Sequence, residues 1–126
     1  MNRDGQRMIG IRVRIVRCID DSEWPSFVEC EFVDAHGTVH RFTEKSAIVT
    51  CDDVNSATRF PFPAVIACAI VERSEAIPDR FAMLVDTELP WHVSSIEDKT
   101  RFDVLAEDLV EWQFGGSDYQ QWNGVA

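Results

Sequence analysis

The sequence predicts an all-β fold: a small single-domain antiparallel barrel or sandwich of about seven strands, with at most one short helix. Three observations predict it. Hydrophobic residues recur with period two along several stretches. Turn-forming residues separate these stretches at short intervals. No segment has the pattern of a long amphipathic helix. The alternative is a β-rich α+β fold, with residues 64–72 or 106–112 helical. A chain of 126 residues, 45% of them hydrophobic, can bury one core without disulfides or metal. One domain is expected over residues 1–114, followed by a flexible or docked tail over 115–126.

The elements follow in order. Ile9, Ile11, Val13 and Ile15 alternate with Gly10, Arg12 and Arg14, as in a half-buried strand. Val16 and Cys18 take the other phase, which places a bulge near Ile15–Val16. Residues 20–26 form a loop. Val28, Cys30 and Phe32 then alternate with Glu29 and Glu31. The turn Asp34-Ala35-His36-Gly37 returns the chain as Thr38–Thr43, so residues 27–43 read as a hairpin. Ala47–Thr50 reads as a short strand, and Cys51–Arg59 as a loop. Phe60-Pro61-Phe62-Pro63 follows, and its two prolines forbid ladder bonds there. Ala64–Glu72, rich in Val, Ile and Ala, reads as a central strand. A turn around Pro78 precedes its return strand, Phe81–Asp86. Trp91–Ile96 and Arg101–Leu105 read as a last hairpin about Glu97–Thr100. Ala106–Trp112 is one helical turn or a bent strand, and Gly115-Gly116 then releases the tail.

Charge is the most informative functional signal. The chain has 22 acidic and 12 basic residues, a formal charge of −10. Residues 1–17 hold Arg3, Arg7, Arg12, Arg14 and Arg17 against one acid, Asp4. The remainder is strongly acidic. This balance disfavours nucleic acid as a ligand and favours a basic protein partner. If neighbouring strands set Arg12 and Arg14 beside Glu29 and Glu31, the basic head is matched internally and the excess acid lies in loops. Left unpaired, the same arginines would form a local basic patch.

Several chemistries are disfavoured. There is no Gly-x-Gly-x-x-Gly or Walker loop for nucleotide phosphates. His36 and His40 lie four apart, but about a turn and not on a helix, so they and Cys30 or Cys51 make a poor zinc set. His92 is a possible base for a cysteine, yet acidic surroundings raise a thiol pKa. Ser94 and Ser95 have no nucleophile elbow. The acid pairs resemble solvated turns more than the two separated carboxylates of glycoside hydrolysis. No cofactor or metal is expected. The longest apolar run, Ala64–Val71, is too short to span a bilayer. No secretory h-region follows the basic start, so a cytoplasmic location with four reduced cysteines is expected.

Three function classes remain. The first is a non-catalytic acidic module that docks a basic protein, of which a toxin-immunity-type inhibitor is one form. Its expected contact residues are the loop acids Asp20, Asp21, Glu23, Asp52, Asp53, Glu97, Asp98, Glu107 and Asp108. Aromatics near them, Trp24, Phe60, Phe62, Tyr119 and Trp122, are candidate anchors. The same aromatics alternatively fold back to cap the open ends of the barrel. Trp91 and Trp112 are expected in the core. The second class is a small-molecule-binding barrel or enzyme with a site near Phe62, Trp91 and His92. The third is an assembly domain that pairs with a second copy, as in a homodimer.

Overall fold

The computed structural model describes residues 6–124; Arg3 and Asp4 of the basic head, and the last two residues of the tail, lie outside them. The described residues form β1 (Arg7–Asp20), β2 (Phe27–Val33), β3 (Val39–Lys45), the single helical turn α1 (Ser46–Val49), β4 (Phe62–Arg73), β5 (Ala82–Asp86), β6 (Arg101–Leu105), β7 (Leu109–Gln113) and β8 (Gln120–Gln121). A 3₁₀ turn, Ala106–Asp108, joins β6 to β7. The strands make one antiparallel sheet in the order β3-β2-β1-β4-β5-β6, curled into a half-barrel. The all-β class read from the sequence is therefore the observed one.

β1 organises the sheet. One of its edges pairs with β4 from Ile9 to Ile15. Its other edge is shared: β7 takes Arg7–Ile11 and β2 takes Arg14–Asp20. The expected bulge falls between Ile15 and Arg17, where the β1–β2 register shifts. An extra residue there bends the strand and increases its twist, so β1 serves both arms of the sheet. The sheet's outermost strands, β3 and β6, curl toward each other. Ala35 N–H, in the β2–β3 turn, donates to Asp103 O on β6 (2.8 Å), and Ile96 N–H donates to Arg41 O on β3 (2.9 Å). Phe102 of β6 packs edge-on against Phe32 (5.3 Å between centroids) and His40 (4.7 Å) across the same seam. These contacts blunt two edges that would otherwise offer unpaired backbone groups.

The main core fills the concave side with Ile11, Val13 and Ile15 of β1, Val28 and Phe32 of β2, Phe42 of β3, Ile66 of β4, Val85 of β5 and Leu109 of β7. A second, smaller cluster lies on the convex side: Met8, Val65, Ala67, Val110 and Trp112. β4 is thus buried on both faces where it lies between β1 and β5. That explains its continuous apolar run, since alternation survives only where one face meets water. The convex side changes character across β1. Toward β2 and β3 it is polar, with Arg14–Glu31 (2.9 Å), Arg17–Glu29 (3.1 Å) and Arg41–Glu31 (3.5 Å) in cross-strand pairs. Toward β4 and β7 it is the second apolar cluster.

Four local expectations are corrected and one is resolved. Phe62 and Pro63 are not kept out of the ladder: they pair with Ile15 and Arg14 of β1 as the first residues of β4. Residues 46–49 form a helical turn and not a strand, because Ser46 N–H is taken by Ser26 O and Thr50 N–H by Ser46 O. Trp91–Ile96 is irregular and not a strand: Thr87 holds it through Val93 O and Val93 N–H, and β6 pairs with β5 instead. Both alternatives for 106–112 occur in sequence, a 3₁₀ turn and then a strand. The arginine matching is displaced: Arg14 and Arg17 meet Glu31 and Glu29, whereas Arg12 faces Val65 of β4 and has no register partner on β2.

Candidate functional site

The expected contact residues fall into separate groups, and one group is assembled by the fold. Asp21 Oδ2 accepts the Ser56 N–H (2.9 Å), which ties the β1–β2 loop to the loop after α1. Ser26 reinforces the junction, because its hydroxyl donates to Val54 O. Loops 20–26 and 50–58 therefore share one end of the half-barrel. Asp20, Asp21, Glu23, Asp52 and Asp53 are all exposed there, and none forms an ion pair among the described residues. Hydrogen bonds from Ser22 hold the Asp20 carboxyl below its ordinary range, and those from Ser56 do the same for Asp21. Both stay ionised at neutral pH. Trp24 projects from this loop with 77% of its surface exposed.

The remaining candidates lie elsewhere. Glu97 and Asp98 occupy an exposed turn, where Asp98 has a φ of 64°. Glu107 is paired with Arg80 (2.7 Å). Asp108 is half-buried, and burial pushes its carboxyl up. Phe60 and Phe62 are half-buried against the main core. Trp122 is not on the surface: 4% of it is exposed, and it belongs to the main core. Trp112 is buried as expected, but Trp91 is 36% exposed and lies at the rim of the second apolar cluster. His92 is exposed with a φ of 55°, and its ring makes no hydrogen bond among the described residues.

Sequence reasoning missed a polar chain across the seam. Ser74 Oγ donates to Asp103 Oδ1 (2.6 Å), and Asp103 Oδ2 meets His36 Nε2 (2.7 Å). Asp34 Oδ1 accepts the N–H groups of His36 and Thr38, and its Oδ2 meets His40 Nε2 (2.7 Å). Each histidine is thus engaged by one aspartate, and no group of three or more ligating side chains suited to a metal ion occurs among the described residues. The serine donates to a carboxylate held below its ordinary range and not to an imidazole, so the arrangement is not a serine–histidine pair. Ser95 Oγ instead accepts the Glu97 and Lys99 N–H groups. The Cys30 and Cys68 thiols are pushed up to about 12 by burial, which leaves them as packing groups.

These pairs set a pH dependence. The Ser74 and His36 hydrogen bonds hold Asp103 below its ordinary 3.8. Burial pushes Asp34 up, but hydrogen bonds from His40, Thr38 and His36 together outweigh it. Glu88 N–H holds Asp86 down. Such carboxylates stabilise the fold above pH 3.8, and the contribution is lost as pH falls through their lowered folded values. The hydrogen bond to Asp103 raises His36 above 6.5. Its contribution is full below pH 6.5 and is lost as pH rises through the raised value. Glu44 and Asp108, raised by burial, act against the carboxylate trend. Urea titrations across pH should therefore give a stability maximum between about 4 and 6.5. His36→Asn should flatten the alkaline limb; an unchanged limb in that variant would refute the assignment.

A cleft of about 380 Å³ lies on the convex side, between the segment Val49–Asp52, the tail around Tyr119, and the strand residues Arg12, Val65 and Val110. A smaller cleft of about 200 Å³ shares Val49, Thr50, Cys51, Val65 and Tyr119 with it and extends to Trp91 and Trp112. Partial burial and the nearby Cys51 and Asp52 push the Tyr119 phenol up, so it remains a protonated donor. No helix among the described residues is long and apolar enough to cross a membrane. Comparison of the chain with protein-family models, curated proteins and solved structures finds no match.

Proposed function

We propose that this chain is a non-catalytic acidic module that docks a basic protein partner. The observation that carries the reading is the unpaired acidic end built by loops 20–26 and 50–58 around the exposed Trp24. Internal pairing sharpens it. Arg7, Arg14 and Arg17 are engaged by Glu111, Glu31 and Glu29, so these three arginines do not offset the loop acids. A concentrated field of one sign speeds encounter with an oppositely charged surface. An exposed tryptophan inside that field supplies the apolar contact, and a cation–π contact with an incoming Lys or Arg. A toxin-immunity-type inhibitor is one form of such a module. The proposal places it in the cytoplasm, with which its four free cysteines are consistent.

The test uses the immobilised full chain against the product of its neighbouring gene. Binding is expected to weaken steeply as salt rises from about 0.05 to 0.5 M, since the Debye length shortens from roughly 14 to 4 Å. Replacing Asp20, Asp21, Asp52 and Asp53 together by Asn keeps the loop acceptors while removing four charges. That variant should associate about 10–100-fold more slowly, and Trp24→Ala should dissociate faster. Retention indifferent both to salt and to these substitutions would sink the reading.

A further inference from the structure

The convex cleft adjoins the acidic end at Asp52 but is otherwise lined by an arginine and largely apolar residues. We propose that it is a binding site for a small carboxylate with an apolar body, the carboxylate seated on Arg12. The argument begins with the arginines of β1. Arg7, Arg14 and Arg17 each have a glutamate partner, but Arg12 makes no ion pair among the described residues. Asp108 acts on it electrostatically without direct contact.

Arg12 is nevertheless held in place. Its Nη2 donates to Gln121 Oε1 (3.1 Å). The Gln121 amide is itself fixed, because Nε2 donates to Ala106 O (3.0 Å) and Leu109 O (3.1 Å). Both amide hydrogens are used on the backbone, so the oxygen must face the guanidinium. One hydrogen bond leaves most of the five guanidinium donors available, in a geometry that suits a carboxylate. A cation held ready at the edge of an apolar surface is a recognised design for anion binding.

The surroundings supply the rest. Arg12 lies where the convex side changes from cross-strand ion pairs to apolar residues. Val65 and Val110 give the cleft an apolar floor, and Tyr119 offers a phenolic donor. Its volume lies within the usual range for small-ligand sites. Asp52 also lines it and opposes an anion, so specificity depends on where the carboxylate sits. The charge of −10 repels anions at long range, and therefore affinity must come from short-range contacts with Arg12.

Calorimetric titration of the full chain with phenylbutyrate and with its alcohol, phenylbutanol, tests the site. Phenylbutyrate is expected to bind with a Kd on the order of 1 mM, a value ordinary for a ligand of its size. The alcohol should bind at least about tenfold more weakly, since it forfeits a charge-assisted contact. Arg12→Gln should remove that preference and leave the melting midpoint unchanged, and Asp52→Asn should tighten the acid. Equal affinity for acid and alcohol in the wild type overturns the proposal, as does no heat from either or an Arg12→Gln variant that still prefers the acid. The wild-type comparison decides the matter even if the variant folds poorly.

Discussion

Replacing Trp122 with alanine is expected to destabilise the protein by about 3–5 kcal/mol, the usual cost of truncating a buried tryptophan. The tail reaches the core through a definite path. Gly115 takes a φ of 86° and Gly116 N–H donates to Gln113 O (2.9 Å), which reverses the chain after β7. β8 then pairs with β7, and Trp122 N–H donates to Leu109 O (3.0 Å). The indole enters the main core beside Phe81, with ring centroids 5.8 Å apart. The melting midpoint should fall by an amount on the order of 10–20 °C. Deleting residues 120–126 should cost at least as much. A midpoint unchanged by either alteration would mean that the tail is not part of the folded unit.

The second large effect is expected at Gly10. A Cβ built there would lie 2.4 Å from Val65 Cγ1, 2.9 Å from Ile66 O and 3.0 Å from Trp112 Cζ3. One of those atoms belongs to the backbone of the neighbouring strand and cannot turn aside. Gly10→Ala should therefore cost about 1–3 kcal/mol through overpacking, and Gly10→Val more. Gly37 is a useful contrast. A Cβ there meets nothing within 4 Å, and the constraint is its φ of +84° alone. Gly37→Ala should cost about 1 kcal/mol, through backbone strain. Urea unfolding of the two alanine variants separates the mechanisms. A smaller loss at Gly10 than at Gly37 would show that β1 and β4 can move apart.

The strands were legible wherever one face meets water. β1, β2 and β3 alternate cleanly, and the bulge announced itself as a change of phase at Val16. β4 was legible by length and β-branched content, although its period had vanished under burial on both faces. Residues 46–49 and 91–96 were misread for a common reason. Their backbone groups are satisfied by partners distant in sequence or by a threonine side chain, and local pattern does not encode those bonds. The acidic end was half legible. The loop acids were evident, but the Ser56–Asp21 and Ser26–Val54 bonds are what bring two of the loops together. The Arg12 cleft was hidden, because a displacement of cross-strand register decides which arginine lacks a carboxylate. Trp122 looked like a surface anchor because a tail rich in polar residues carries no sign of where its single indole goes.

The sharing of one edge of β1 by β2 and β7 has a consequence for how the protein is made. β2 follows β1 after a short loop and can pair as soon as both leave the ribosome. β7 cannot: Arg7 and its partner Glu111 are 104 positions apart. Throughout synthesis the first half of β1 keeps an open edge, with apolar residues on both of its sides. Contacts of such long sequence separation slow folding and prolong the exposure of unpaired strand. Arg7 on that edge and Arg12 just beyond it then have a second use, since charges along a waiting edge discourage it from pairing with another nascent chain.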